Sequence, residues 1–198
     1  MKLEKHIVHH HIHLFVLCLF AVGIVSSKFL MSMGLLIGLI NLIAEAEFKK
    51  YYRNLKKNKF FIAILIFFIF HLVGMIWSEN MDYGFNDIRR KLSMLVVPII
   101  LISKPISSLS DYKKIIFCFI GALIITSVIN TSYFFWLSDN SEHKDLRELS
   151  LFNSHIRYAI MIALAIPLLY QFNTASKKRK VLFAFLVIWF LFYTYVSQ

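Results

Sequence analysis

The first thing this sequence lacks is charge. Charged residues make up 17% of its 198 residues, whereas apolar residues make up 59%. A soluble globular domain carries about 25% charged residues, so a chain of this composition has too little polar surface to cover its core in water. Long runs without any Asp, Glu, Lys or Arg indicate that its solvent is lipid.

Cysteine, glycine and the common catalytic motifs are also scarce. The two cysteines, Cys18 and Cys118, each lie inside an apolar run, with no metal-site spacing and no paired partner nearby. No phosphate-binding glycine-rich loop, HExxH or GxSxG pattern occurs, which argues against the common soluble enzyme classes. The six glycines, among them Gly74 and Gly121, are interpreted as packing positions between helices.

Basic residues are what the sequence has in excess, with a net charge of +11. They form short clusters between apolar runs and do not follow one face of a fold, so a nucleic-acid partner is not expected. Such clusters are typical of a chain that crosses a membrane several times.

Seven apolar segments without charged side chains predict an all-α, polytopic bundle of transmembrane helices, forming a single domain over residues 1–198. A crossing helix needs about 20 mostly apolar residues. The fourth segment is the weakest, and Lys91 and Lys104 at its ends are expected to lengthen it by snorkelling to the two interfaces. The segments are 6–27, 29–44, 60–78, 92–103, 115–137, 158–175 and 181–198.

The distribution of basic residues predicts that the N-terminus is cytoplasmic. With seven crossings, the cytoplasmic pieces are 1–5, 45–59, 104–114 and 176–180. These hold 15 of the 22 basic residues and four of the 11 acidic residues, so the whole net charge falls on the cytoplasmic side. We therefore expect a multi-pass membrane protein with a cytoplasmic N-terminus.

Two histidine features leave alternatives open. His9 and His13 stand four residues apart, a spacing that can bind a metal ion on a helix, but together with His10 and His11 they are more simply an interfacial patch. His71 lies inside the third apolar segment, where a polar ring is either functional or hydrogen-bonded to a neighbouring helix; the structural role is favoured.

Residues 79–91 are expected to form an interfacial segment on the periplasmic side. An apolar stripe runs along it at helical spacing, and Arg89, Arg90 and Lys91 are held at the membrane–water boundary. One interpretation is that these cations bind an anionic headgroup or a diphosphate. The other is local pairing of Asp87 with Arg90 and Lys91.

A second cationic position follows a predicted periplasmic loop at 139–153. Asn153 or Ser154 can cap the helix that begins there, which places His155 and Arg157 at headgroup depth in its first turn. A cation at a helix N-terminus is electrostatically unfavourable. A bound phosphate would offset that, and simple snorkelling of Arg157 is the alternative.

Two stretches carry a resemblance to a known family. The first is Gly74-Met75-Ile76-Trp77-Ser78-Glu79-Asn80, followed by Tyr83-Gly84 and Arg90-Lys91-Leu92-Ser93, and the second is SHIRY at 154–158. Both resemble the O-antigen ligase and polymerase family, over most of residues 60–175.

The resemblance implies part of a multi-pass glycosyltransferase of the bacterial inner membrane, surrounded by membrane lipids. Such an enzyme transfers a glycan from a polyprenyl diphosphate carrier to lipid A–core or to another lipid-linked repeat. It implies no cofactor, neither a nucleotide sugar nor a metal ion. The carrier diphosphate would be held by Arg89, Arg90, Lys91, His155 and Arg157, and no catalytic residue is assigned. Family members have more crossings and a large catalytic periplasmic loop, so the chain is expected to be truncated. A flippase or secondary transporter, and a non-catalytic remnant, are the alternatives.

Overall fold

Helices make up the regular structure of this protein. The computed structural model describes residues 2–77, 81–137, 152, 154–171 and 177–196. Across these residues there is no strand, so the predicted all-α class is confirmed. In chain order the helices are α1 (Lys2–Ser26), α2 (Lys28–Glu45), α3 (Phe48–Lys57), α4 (Lys59–Gly74), α5 (Met81–Ser103), α6 (Leu109–Leu137), α7 (His155–Gln171) and α8 (Lys177–Val196), with a short 3-10 turn at Met75–Trp77 after α4.

Four of these helices are long and apolar enough to cross a membrane, which identifies a helical membrane protein. The candidate spans are His6–Ser26, Lys28–Glu45, Lys59–Trp77 and Leu109–Tyr133. The apolar parts of α7 and α8, Ile156–Gln171 and Ala184–Tyr193, are shorter. The full count of seven crossings therefore stays a prediction.

Residues 81–91 of the predicted interfacial segment and the weak fourth span form one continuous helix, α5, while residues 79 and 80 lie outside the described residues. Its first half carries Asp82, Asp87 and the cluster Arg89–Lys91, and it becomes free of charge from Leu92 onward. Pro98 lies inside the second half and is buried. The first half also carries the predicted apolar stripe, which stays mostly exposed: Phe85 is 65% and Leu92 is 47% exposed. An exposed apolar stripe is what a helix presents to a lipid interface.

Contacts divide the chain into two compact units. Unit 1 comprises Met1–Leu17 and Ser32–Asp111, and unit 2 comprises Cys18–Met31 and Tyr112–Gln198. Helices α1 and α2 contribute residues to both. The sequence-based prediction of one transmembrane domain stays a prediction.

Unit 2 has an apolar core built from α6, α7 and α8. Ile116, Ile120 and Leu123 share one face of α6, because positions three and four residues apart point the same way on a helix. That face meets an equally spaced set on α7 and two aromatic rings of α8. The buried partners are Val25, Tyr158, Met161, Ile162, Ala165, Phe190 and Tyr193.

Hydrogen bonds between polar side chains join the same three helices. The Tyr158 hydroxyl donates to the carbonyl oxygen of Leu123 at 2.8 Å and lies 2.7 Å from Thr126 Oγ1. Asn130 Nδ2 donates to the Tyr193 hydroxyl at 2.9 Å. Such bonds tie helices together where water is absent.

Glycines allow two close helix contacts. A Cβ atom at Gly38 would lie 2.9 Å from Ile100 Cδ1, and one at Gly23 would lie 2.7 Å from the backbone nitrogen of Met31. These two are packing positions, as predicted. For Gly74 and Gly121 the structure does not support the same interpretation, since among the described residues a Cβ atom there would meet no atom within 4 Å.

Candidate functional site

The three predicted cations of unit 1 lie on the first half of α5. Lys91 Nζ is 2.6 Å from Asp87 Oδ2, one helical turn away, so the local-pairing interpretation holds for this residue. Arg89 and Arg90 are exposed. Neither forms an ion pair with an acidic side chain in the part of the chain that the structure describes. The two arginines are therefore the cations that remain available to an anionic ligand.

A cavity of about 320 Å³ lies where α4 and α5 meet. Its size is at the lower end of the range for small-molecule sites. Asp87 and Ile88 line it, whereas Arg89 and Arg90, the next residues along α5, lie on another face of the helix and are not part of the lining. The other lining residues are Phe70, His71, Gly74, Met75, Tyr83 and Gly84.

His71 lies at the wall of this cavity. Its Nδ1 atom is 2.9 Å from the carbonyl oxygen of Phe67, one turn earlier in the same helix. A carbonyl only accepts, so Nδ1 donates this bond. Among the described residues His71 forms no bond to a neighbouring helix, as the sequence suggested it would; its partner lies in α4 itself. The cavity therefore has a histidine, a carboxylate and the phenol of Tyr83 in its otherwise apolar lining.

The start of α7 partly matches its prediction. The Ser154 hydroxyl accepts from the backbone nitrogen of Arg157 at 3.5 Å, a long capping bond, and α7 begins at the next residue. The Arg157 side chain is exposed. Asn153, the side chain of His155 and, apart from residue 152, the loop 139–153 lie outside the described residues.

The predicted binding residues belong to different units. Arg89, Arg90 and Lys91 lie in unit 1, whereas His155 and Arg157 lie in unit 2. That both groups act on one ligand stays a prediction.

A buried ion pair in unit 1 was missed by sequence reasoning. Lys104 Nζ lies 2.7 Å from Glu45 Oε1, and the two side chains are only 10% and 4% exposed. The prediction that Lys104 snorkels to an interface was therefore wrong. The Tyr51 hydroxyl donates to the other oxygen of Glu45 at 2.8 Å. We call Glu45, Lys104 and Tyr51 the Glu45 cluster.

The electrostatics of the Glu45 cluster keep its hydrogen bonds in place. Burial, together with the hydrogen bond to Glu45, raises the pKa of the Tyr51 hydroxyl above its usual range. The hydroxyl therefore stays protonated and remains a donor. The Glu45 carboxylate accepts hydrogen bonds from both an ammonium and a phenol. These two bonds offset most of the free-energy cost of removing its charge from water.

The N-terminal histidines His9 and His13 pack beside this cluster and form hydrogen bonds with different partners. His9 Nδ1 is 2.8 Å from Asn41 Oδ1, and Asn41 Nδ2 donates back to the His9 carbonyl oxygen at 3.1 Å. His13 Nε2 is 3.0 Å from the carbonyl oxygen of Lys104. Each histidine has its own partner and both are buried. The pair serves packing between helices and is not a preformed metal site.

One other group in unit 1 has the composition of a metal site. Ligand atoms of His6, Glu45 and Glu47 all lie within 4.8 Å of one another. However, Lys104 Nζ already lies against Glu45. Its positive charge opposes a second cation at the same carboxylate. We therefore interpret these three residues as polar neighbours of the buried Glu45–Lys104 pair and not as a metal site.

Comparison with known proteins adds no assignment. No family model matches the chain, and neither a curated protein nor a solved structure is significantly similar to it.

Proposed function

We propose that this chain forms part of a membrane glycosyltransferase that transfers a glycan from a polyprenyl diphosphate carrier to lipid A–core. One observation carries the proposal. The first stretch that resembles the O-antigen ligase and polymerase family surrounds the cavity between α4 and α5: Gly74, Met75, Tyr83 and Gly84 all line it. Four of the residues behind the resemblance thus contribute to one structural feature.

An apolar lining and two exposed cations on the same helix support a lipid diphosphate as the ligand. Phe70, Met75 and Ile88 supply apolar lining for an isoprenoid chain, and Arg89 and Arg90 are exposed on α5 outside that lining. Guanidinium groups bind phosphate oxygens bidentately through charge-assisted hydrogen bonds. In this proposal Arg89 and Arg90 bind the diphosphate, and Lys91 contributes only if the ligand displaces Asp87.

The buried polar groups favour this function over transport. A secondary transporter would have ionisable side chains near the middle of its spans. Among the described residues, the polar side chains buried within α2 and α6 are the uncharged Asn41, Thr126, Ser127 and Asn130, together with one ionisable group, Asp111, in the first turn of α6. The buried pair of Glu45 and Lys104 lies at the end of α2 and just after α5.

The proposal predicts selective binding of a polyprenyl diphosphate. Native mass spectrometry of the full chain in detergent would compare the diphosphate with the polyprenol of the same length. We expect the Arg89→Gln/Arg90→Gln variant to bind the diphosphate at least about tenfold more weakly, because a hydrogen bond to a charged group contributes about 1.5–3 kcal/mol. Binding of the neutral polyprenol should not change.

The matched control removes two cations elsewhere in unit 1. Lys50→Gln/Lys59→Gln takes the same charge from α3 and from the start of α4, and should leave diphosphate binding intact. Equal losses for both double variants would mean that net charge alone attracts the ligand, and the assigned site would be wrong. Adding Arg157→Gln to the Arg89→Gln/Arg90→Gln variant tests whether unit 2 contributes to the same ligand.

A further inference from the structure

Helix α3 is held at the membrane surface by its neighbours in the chain. Residues 46 and 47 alone separate it from the candidate span Lys28–Glu45, and Asn58 alone separates it from the candidate span Lys59–Trp77. Ala46 adopts a left-handed conformation with φ 58° directly after α2. The Asn58 side chain accepts from the backbone nitrogen of Phe61 and caps α4. With linkers this short, α3 lies at the interface where α2 ends and α4 begins.

One face of α3 is anchored to the rest of unit 1. The Tyr51 hydroxyl donates to Glu45, and the Tyr51 side chain is 6% exposed. Asn54 Nδ2 donates to the carbonyl oxygen of Ser103 at 3.0 Å. Positions 51 and 54 share a face because they are three residues apart on a helix. The rotation of α3 about its axis is thereby fixed.

The remaining surface of α3 carries a group of exposed cations. Lys49, Arg53, Lys56 and Lys57 surround an open depression together with Tyr52. Among the described residues, no acidic side chain forms an ion pair with any of these four cations. The nearby Glu47 pairs with Lys50 instead. We call these four cations the α3 basic face.

We propose that the α3 basic face binds the anionic headgroups of phospholipids. Cations fixed at a membrane surface attract anionic lipid, and each contributes roughly fivefold to binding near such a surface. The exposed aromatic rings of Phe48 and Tyr52, 57% and 66% exposed, suit the same interface. Anchoring by Tyr51 and Asn54 keeps the cations in place, so little order is lost on binding.

Native mass spectrometry of the full chain, titrated with phosphatidylglycerol and with phosphatidylcholine of the same acyl chains, tests the proposal. We expect the natural chain to prefer phosphatidylglycerol. Replacing the four cations by glutamine (Lys49→Gln, Arg53→Gln, Lys56→Gln and Lys57→Gln) should lower that preference at least about tenfold. A charge-retaining variant, Lys49→Arg/Lys56→Arg/Lys57→Arg, should keep it.

Several results would overturn the proposal. One is equal binding of the two lipids by the natural chain, and another is an undiminished preference in the glutamine variant. Displacement of the lipid by excess inorganic phosphate would show that free phosphate is the ligand. Circular dichroism checks that the glutamine variant folds, and the milder Lys49→Gln/Lys57→Gln variant provides the same comparison if it does not.

Discussion

At the scale of single residues, the Glu45–Lys104 pair is the contact whose loss should matter most. Both side chains are almost fully buried, so removing Lys104 leaves a carboxylate without its cation in a place that water scarcely reaches. Breaking a buried pair in this way costs about 3–5 kcal/mol. We expect Lys104→Met to lower the temperature at which the chain unfolds in detergent, followed by circular dichroism.

Two further variants make that experiment decisive. The double variant Glu45→Gln/Lys104→Met removes both charges and should recover part of the lost stability, because two neutral groups need no ion pairing. The exposed pair Lys50–Glu47, with side chains 52% and 38% exposed, is the matched control. Lys50→Met should change stability by less than about 1 kcal/mol. A Lys104→Met chain as stable as the natural one would contradict the predicted role of the pair.

Residues such as Glu45 and Lys104 show what the sequence was unable to predict. Each stands at the end of a charge-free run, so the sequence places both near a membrane surface. Their pairing spans 59 residues and depends on how α2 and α5 pack, which hydropathy does not encode. The ion pair of Lys91 with Asp87 was predictable from the sequence, because the two residues lie one turn apart on the same helix.

At the scale of helices, sequence reasoning was more successful because a charge-free run is a local property. The described part of the predicted segment 158–175 lies inside α7 (His155–Gln171), and the segment 115–137 lies inside α6 (Leu109–Leu137). The interfacial segment and the fourth span were predicted as consecutive parts, and their described residues form the single helix α5. The cavity beside α5 was not foreseen, since it arises only where two helices meet.

The hairpin of α1 and α2 supplies a prediction at this scale. A Cβ atom at Gly23 would lie 2.7 Å from the Met31 nitrogen, and backbone atoms cannot move aside as a flexible side chain can. Gly23→Ala should therefore lower the unfolding temperature of the chain in detergent. Gly121→Ala is the matched control: the same change inside α6 meets open space, and alanine favours a helix over glycine by about 1 kcal/mol. If both variants behaved alike, close approach at Gly23 would not matter.

At the scale of the whole molecule, the predicted orientation in the membrane rests on charge, and contacts within unit 1 are consistent with it. The Glu45 cluster brings together the end of α2, helix α3 and the segment after α5. His10 Nε2, near the start of α1, is 3.0 Å from Asp111 Oδ2, near the start of α6. Two pieces predicted to be cytoplasmic, at 45–59 and 104–114, thus adjoin each other, and the start of the first predicted span adjoins the second piece, as a shared side of the membrane requires.

Orientation can be tested with single cysteines in a chain whose own cysteines are replaced by alanine. We expect a cysteine at Asn86, in the first half of α5, to react with a membrane-impermeant maleimide applied to intact spheroplasts. Cysteines at Lys57 and Ser107 should react only after lysis, because 15 of the 22 basic residues lie in pieces assigned to the cytoplasm. All three positions are exposed, so the membrane alone should decide which of them react.

The opposite labelling pattern would have consequences beyond topology. It would place Arg89 and Arg90 on the cytoplasmic side, away from a glycan carrier presented to the periplasm, and the proposed transferase role would lose its site. The α3 basic face would then lie on the outer surface, although its attraction to anionic lipid depends on charge alone and would persist. The labelling experiment therefore separates the two proposals, because only the transferase role requires this orientation.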